Sequence, residues 1–369
     1  HPVDWSTGRM APLPARDAGI IHKVLGGSVV PLFQTDAEFL EASLSLILRE
    51  KLEISSVPDS TIEAMIRNEE VPGPARAEAL EIYATRQPAG FDELLATLAA
   101  GKEDDLAVAA LRRLVKTNPA AALDGLSKSV TTGSTRRKQE AWKLAATVPG
   151  EGAATLFVHH VADLQKNSGV SPAALELLDA AAARTEPEVK TALDSFKTAQ
   201  AASTDSLTPY LPSLEGGNPK KGRQIFESHP DGQCMRCHSS GHGGGDAGPN
   251  LSGVGLRGDA RHMLESIVEP GAKIAMGYGI AGITLKGGKE VSGIVVADSE
   301  EHVDLDSSGK ILRVTKTDIE SSTPTVSSMP PMGHMLSPGE LRDVVAWLTQ
   351  QKDKKQEEKK RPEPELVKP

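Results

Sequence analysis

A short alanine-led apolar phrase recurs down the first half of the chain: Ala79-Leu80-Glu81-Ile82, Ala110-Leu111-Arg112-Arg113-Leu114, Ala141-Trp142-Lys143-Leu144 and Ala174-Leu175-Glu176-Leu177. The intervals are 31, 31 and 33 residues. A period of that length holds two short helices and their turns, and one such pair cannot bury its own apolar face, whereas stacked pairs can. Alanine at the crossing points lets neighbouring helices approach, and the Leu/Ile ridges fill the grooves between them. A second helix is predicted after each phrase, over Phe91–Ala100, Pro119–Val130, Ala153–Leu164 and Pro187–Ala199. Residues 35–200 therefore read as a HEAT-like α-solenoid, a fold that mainly offers surfaces to partners.

Composition agrees with that class. Hydrophobic residues make up 38% of the 369, only 3% are aromatic, and 25 prolines punctuate the helices. The length implies two or three domains. A net charge of -9 argues against nucleic acid as a partner. No run of 18 apolar residues occurs, so no transmembrane segment is expected. Residues 1–34, with Pro2, Pro12, Pro14 and Pro31 and no sustained periodicity, are expected to form an extended connector. A chain opening on His1, without initiator Met or signal peptide, leads us to expect a processed chain or a piece of a longer one.

Nothing in the repeats calls for catalysis. His159 and His160 are adjacent on a helix and diverge by about 100°, so they do not converge on one ion. The run from Gly133 to Lys138 lacks phosphate-loop spacing and reads as a helix start.

The second constraint is Cys234-Met235-Arg236-Cys237-His238, which contains the only two cysteines. Two thiols one short turn apart, with a histidine directly after, is the spacing of covalent haem c attachment. Each thiol can form a thioether to one vinyl group, and the next imidazole reaches the iron. Three other readings exist. A thioredoxin-like couple needs a strand before it, and here Ser228–Gly232 precede. Zinc would need Cys234, Cys237, His238 and His242, without a second knuckle. A plain disulfide leaves the histidine unexplained. One covalently bound haem c implies an exported, periplasmic location.

The remaining chain reads as a class I-like cytochrome c domain. Residues 201–216 are expected to be a linker, 217–351 the haem domain, and 352–369 a disordered charged tail. Gly222 and Phe226 lie four apart on the first helix, which suits a close crossing by the Trp347-bearing last helix that Ser337-Pro338-Gly339-Glu340 caps. The loop Gly243–Leu251 should line the haem edge, with Gly248 permitting close approach and the Pro249 carbonyl accepting the His238 N–H. Asp259–Val268 reads as a helix. Alternation over 280–285, 290–296, 302–305 and 311–314 predicts a small β-rich insert, about 279–320, with a hairpin turn at Gly287-Gly288. Asp304–Gly309 lacks a closing Glu for calcium and reads as another hairpin turn. The sixth iron ligand is expected to be Met329, held by Pro330, with Met332 and Met335 as alternates; His334 would give a bis-His site, and Met276 reads as packing.

Several of these segments together resemble a known family. They are Gly222–Phe226, Cys234–His238, Gly248-Pro249-Asn250-Leu251, Leu264–Pro270, Ile274–Tyr278, the β-insert and Ser328-Met329-Pro330. They are similar to the C-terminal haem-binding domain of large multidomain bacterial dehydrogenase-like proteins. The resemblance covers residues 217–351, and the solenoid only loosely. In that family HEAT-like repeats often precede the cytochrome. The resemblance implies electron transfer with His238 and Met329 as axial pair, between a dehydrogenase-type partner and a downstream acceptor, and implies no substrate. The alternatives are a haem subunit of a larger sugar or alcohol dehydrogenase with an open sixth position, and a haem-free interaction module.

Overall fold

The computed structural model describes residues 19, 37–50, 52, 54, 57–86, 88–241, 243–352 and 363–369. Almost all of the predicted connector 1–34 lies outside them. The described chain is mainly helical and carries a mixed β-sheet toward its C-terminus. It divides into two compact units between Leu156 and Phe157.

The first unit holds α1 (Ala37–Glu50), α2 (Asp59–Arg67), α3 (Gly73–Ala84), α4 (Phe91–Ala99), α5 (Asp104–Thr117), α6 (Pro119–Thr132) and α7 (Thr135–Ala145). Three of these helices start on a side-chain cap. The Glu103 side chain accepts from the Leu106 N–H before α5, Asn118 does the same for α6, and Ser134 for α7. The Gly133–Lys138 run is thus a helix start. Alternate helices pack on one another, α3 on α5 and α5 on α7. The recurring Ala79, Ala110 and Ala141, one on each of these three helices, are all fully buried, and small side chains let packed helices approach closely. Arg137, itself buried, donates to the Ser129 hydroxyl and to the Gly101 and Ala99 carbonyls, each at 2.8 Å. It satisfies two backbone oxygens that the end of α4 leaves free.

Helix α8 (Glu151–Lys166) crosses the boundary between the units. The second unit continues through α9 (Ala174–Ala182) and α10 (Pro187–Ala201). On α8, His159 is exposed beside Asp163 at 3.1 Å, and His160 is half-buried. The expected linker 201–216 is not a linker throughout. Thr208–Ser213 is a 3-10 helix, and Leu207 and Leu211 are buried in one core with Phe226, Leu264, Val345 and Trp347. The reason is visible in Leu207, Tyr210, Leu211 and Leu214, whose three- and four-residue spacing gives one apolar face. The unit boundary consequently lies well before residue 201.

Helix α11 (Pro219–Ser228) crosses the final helix, α14 (Pro338–Leu348), along an extensive contact. Gly222 sits against the Asp343 carbonyl and the Trp347 Cβ, and the Phe226 and Trp347 rings lie 4.5 Å apart. A full capping box between Ser337 and Glu340 starts α14. The one-turn α12 (Cys234–Cys237) and α13 (Ala260–Val268), capped by Asp259, complete the helical part.

The sheet comprises β1 (Gly279–Leu285), β2 (Glu290–Asp298), β3 (His302–Ser307), β4 (Lys310–Thr315), β5 (Ile319–Ser322), β6 (Val326–Ser327) and β7 (Glu365–Val367). Its order is β5-β1-β2-β3-β4-β7, with β6 also on β1. All pairings are antiparallel except β4–β7. Ser308 and Gly309 both take positive φ in the β3–β4 turn, as a two-residue hairpin of that twist requires. The insert has its own core, including Ile283, Leu285, Leu305, Val314 and Val367. Burying Val367 there makes residues 365–367 a strand, a correction to the disorder expected for 352–369; residues 353–362 lie outside the described residues.

Buried Asp304 on β3 takes a bidentate pair from its cross-strand partner Arg313, both bonds at 2.8 Å. Those bonds hold its carboxyl below the usual range, outweighing the opposing effect of burial. A depressed native pKa stabilises the fold above the unfolded value of about 4 and ceases to do so as pH falls through the native value. The stability difference between the parent and Asp304→Asn should be largest near neutral pH and close below about pH 4. Thermal melts across that range check it, and a difference that stays constant would overturn it.

Candidate functional site

The site grows out of the end of α11. There the His229 ring accepts at Nδ1 from the Gly232 N–H at 2.9 Å and the Asp231 N–H at 3.3 Å. Its carbonyl takes the Gln233 N–H at 3.1 Å, and its Nε2 faces Glu340 of α14 at 3.3 Å. The loop is wound around one imidazole, and Gln233 leaves it at φ 41° to start α12. Helix α11 and this loop, not a strand, precede the cysteines, which removes the thioredoxin-like arrangement.

Within α12 both cysteines are free thiols, and no disulfide joins them. Cys237 is exposed and Cys234 half-buried. Burial pushes the Cys234 thiol up, so it stays protonated near neutral pH. His238 follows, its N–H closing the turn onto the Cys234 carbonyl at 2.9 Å. Its Nδ1 lies 2.9 Å from the Pro249 carbonyl. A carbonyl oxygen can only accept, so Nδ1 carries a proton, and in the neutral ring the lone pair is on Nε2. The imidazole rests on Gly248, where a Cβ would stand 2.6 Å from the ring Cε1. Any side chain there would displace the histidine. The Gly248 N–H donates to the Cys237 carbonyl at 2.8 Å, tying the loop back to α12.

Cys234, Cys237 and His238 line a cavity of about 960 Å³. Its walls include Leu251, Met263 and Ile267 of the loop and α13, Ile274 and Tyr278 before β1, and Leu348 of α14. The loop expected to line the haem edge supplies Leu251, and the four-residue spacing of Met263 and Ile267 on α13 marks a second part of this wall. Ile274 and Tyr278 carry no periodic signal and stand out only through the resemblance. Met329, Met332 and Met335 line it as well, in different settings. Met332 is buried in the core, its N–H bonded to the Ile267 carbonyl at 3.0 Å. Met335 is exposed. Met329 is half-buried, with its N–H held by the Ser327 hydroxyl at 3.1 Å and Pro330 directly after. His334 is exposed and does not line the cavity. Met276, read from sequence as packing, is instead exposed on the cavity lining, because the turn Ala275–Tyr278 carries it outward before β1 begins.

Among the described residues no group of three or more His, Cys, Asp or Glu is arranged to hold a metal ion. His242, the fourth member of the zinc reading, lies outside the described residues. No described helix is long and apolar enough to cross a membrane. No protein-family model matches the chain, and no curated protein matches it.

Proposed function

We propose that residues 217–351 form a monohaem c-type cytochrome and that the protein passes electrons between a dehydrogenase-type partner and a downstream acceptor, in the periplasm or otherwise outside the cytoplasm. The preceding helices are then a HEAT-like solenoid that offers a docking surface. The observation that carries the reading is the bond between His238 Nδ1 and the Pro249 carbonyl. Pro249 engages Nδ1, which leaves Nε2 as the nitrogen available to a ligand on a cavity-lining imidazole directly after two free thiols.

The donor set fits haem c in kind. Cys234 and Cys237 would hold the porphyrin through thioethers, His238 would ligate through Nε2, and Met329 would supply a thioether sulfur. A bound haem c supplies a one-electron ferric/ferrous couple, and a Met ligand raises its potential. The residues of the chain do the rest. Gly248 and Pro249 orient the imidazole, and the His229 loop presents the cysteines. Leu251, Ile267 and Leu348 give the cavity an apolar wall against which a porphyrin could pack. Met332, being fixed in the core, serves packing, which leaves Met329 ahead of Met335 as the ligand.

The test is the visible spectrum of protein produced with haem-maturation machinery. We expect haem to remain attached after denaturation, and the native ferric protein to show the weak long-wavelength methionine-to-iron band. Met329→Ala should abolish that band and keep the covalent haem, while Met335→Ala keeps both. Protein matured in this way without covalent haem would overturn the reading; the band persisting in Met329→Ala would overturn the ligand.

A further inference from the structure

Few large apolar side chains stand exposed among the described residues, and most of them gather at the cavity. Met276 and Met335 are on its lining. Ile280, Ile294 and Val326 stand beside it on the sheet: Ile280 pairs with Val326 on one side and Ile294 on the other. Cross-strand partners share a face, so the three form one row. Tyr278 and Ser327, two residues before Ile280 and one after Val326, are both cavity residues. The intervening Ala281 and Val295 point the other way, into the core of the insert.

Position along the sheet makes the row distinctive. Farther from the cavity the same face of β1 and β2 carries Gly282 opposite Ser292 and Thr284 opposite Glu290. That is the polar outer face an antiparallel sheet ordinarily presents. Only the end beside the cavity is apolar, and on β3 the row stops at Asp306, whose carboxylate binds the Gly309 N–H.

The charges around the cavity favour one kind of partner. The chain as a whole carries -9, yet the charged side chains lining the cavity are Arg236, Arg257 and Lys273 against Asp231. Lys273 pairs with Glu265 at 3.3 Å. Arg257 donates to the Asn250 and Ser252 carbonyls and Arg236 to the Gln233 side chain, and no described carboxylate pairs with either. Two exposed guanidinium groups therefore stand at the edge of an apolar surface on an acidic protein.

We propose that the apolar end of the β-insert, with Met276 and Met335, is the docking surface for a protein redox partner whose own face is an apolar patch ringed by carboxylates. The proposal rests on the cytochrome reading and adds the place and chemistry of electron exchange, assigning them to the insert. Apolar contact supplies the affinity, and the guanidinium groups supply steering that salt screens.

The probe is a cuprous blue-copper protein with an acidic ring around an apolar face, titrated into isotope-labelled full-length holoprotein. Amide shifts should centre on residues 276–280, 294, 326 and 335. The triple variant Ile280→Ser/Ile294→Ser/Val326→Ser should weaken binding by about tenfold or more, since each side chain loses apolar burial. Raising the salt should weaken it further. Electron exchange with a small inorganic complex should stay unchanged in the triple variant. Absence of exchange with the small complex would sink the cytochrome reading and this proposal with it. Small-complex exchange together with shifts elsewhere, no shifts, or unaltered binding by the triple variant would overturn the docking surface alone. Concentration-dependent shifts of the same amides without the probe would assign the face to a second copy of this chain and overturn the proposal.

Discussion

Gly222→Ala is expected to destabilise the second unit by about 3 kcal/mol or more, read from the midpoint of chemical denaturation. An alanine methyl at this position would run into the Asp343 carbonyl oxygen and crowd the Trp347 Cβ. The backbone of α14 cannot rotate aside as a flexible side chain would, so the two helices must separate. Separation also opens the Phe226–Trp347 contact and loosens the core that Leu264, Leu341 and Val345 share. Gly339→Ala is the control. It lies in the first turn of the same α14, a Cβ there meets nothing within 4 Å, and its φ is not positive. Alanine there should be neutral or stabilise by about 0.5–1 kcal/mol through backbone entropy. Equal stability of Gly222→Ala and the parent would show that the crossing is not as close as described.

The second large effect is expected at Glu176. Its carboxylate, on α9, receives both terminal guanidinium nitrogens of Arg342 on α14 at 2.9 Å, and both side chains are nearly buried. The Arg342 Nε already has no partner. Glu176→Ala leaves a cation with no counter-charge in a place that water scarcely reaches, at a cost of about 3–5 kcal/mol. Replacing both residues by apolar ones of similar volume, Glu176→Met with Arg342→Met, should recover most of that loss. A double-mutant cycle on denaturation midpoints measures the coupling. A single variant within about 0.5 kcal/mol of the parent would mean that the pair contributes nothing measurable.

Both predictions rest on contacts between segments far apart in the chain, and these were unevenly legible. The Gly222 crossing was visible in advance because a glycine and an aromatic four residues apart on one helix face a tryptophan-bearing helix with a full cap. The Glu176–Arg342 pair was not, since neither residue differs in its local pattern from the many solvated charges around it. The helices appeared where apolar spacing and capping residues placed them, and β1 to β4 where alternation did. The two-residue β6 and three-residue β7 are too short to carry any period. Tail strand β7 depends wholly on Val367 finding the insert core and β4 offering its edge.

By itself, the sequence determined the local elements and the order of the chemistry-bearing residues: two thiols and an imidazole on one turn, and methionines before the last helix. Periodicity and capping are properties of neighbours in the chain, so they are readable there. Only the tertiary structure decided that Nδ1 is the His238 nitrogen that meets the expected Pro249 carbonyl, that Met332 is buried while Met335 and Met276 are exposed, and that residues 207–214 join the core of the second unit. Each of those outcomes is a competition among distant segments for the same buried space. A residue's spacing says which face it lies on, and only the packed fold says what that face meets.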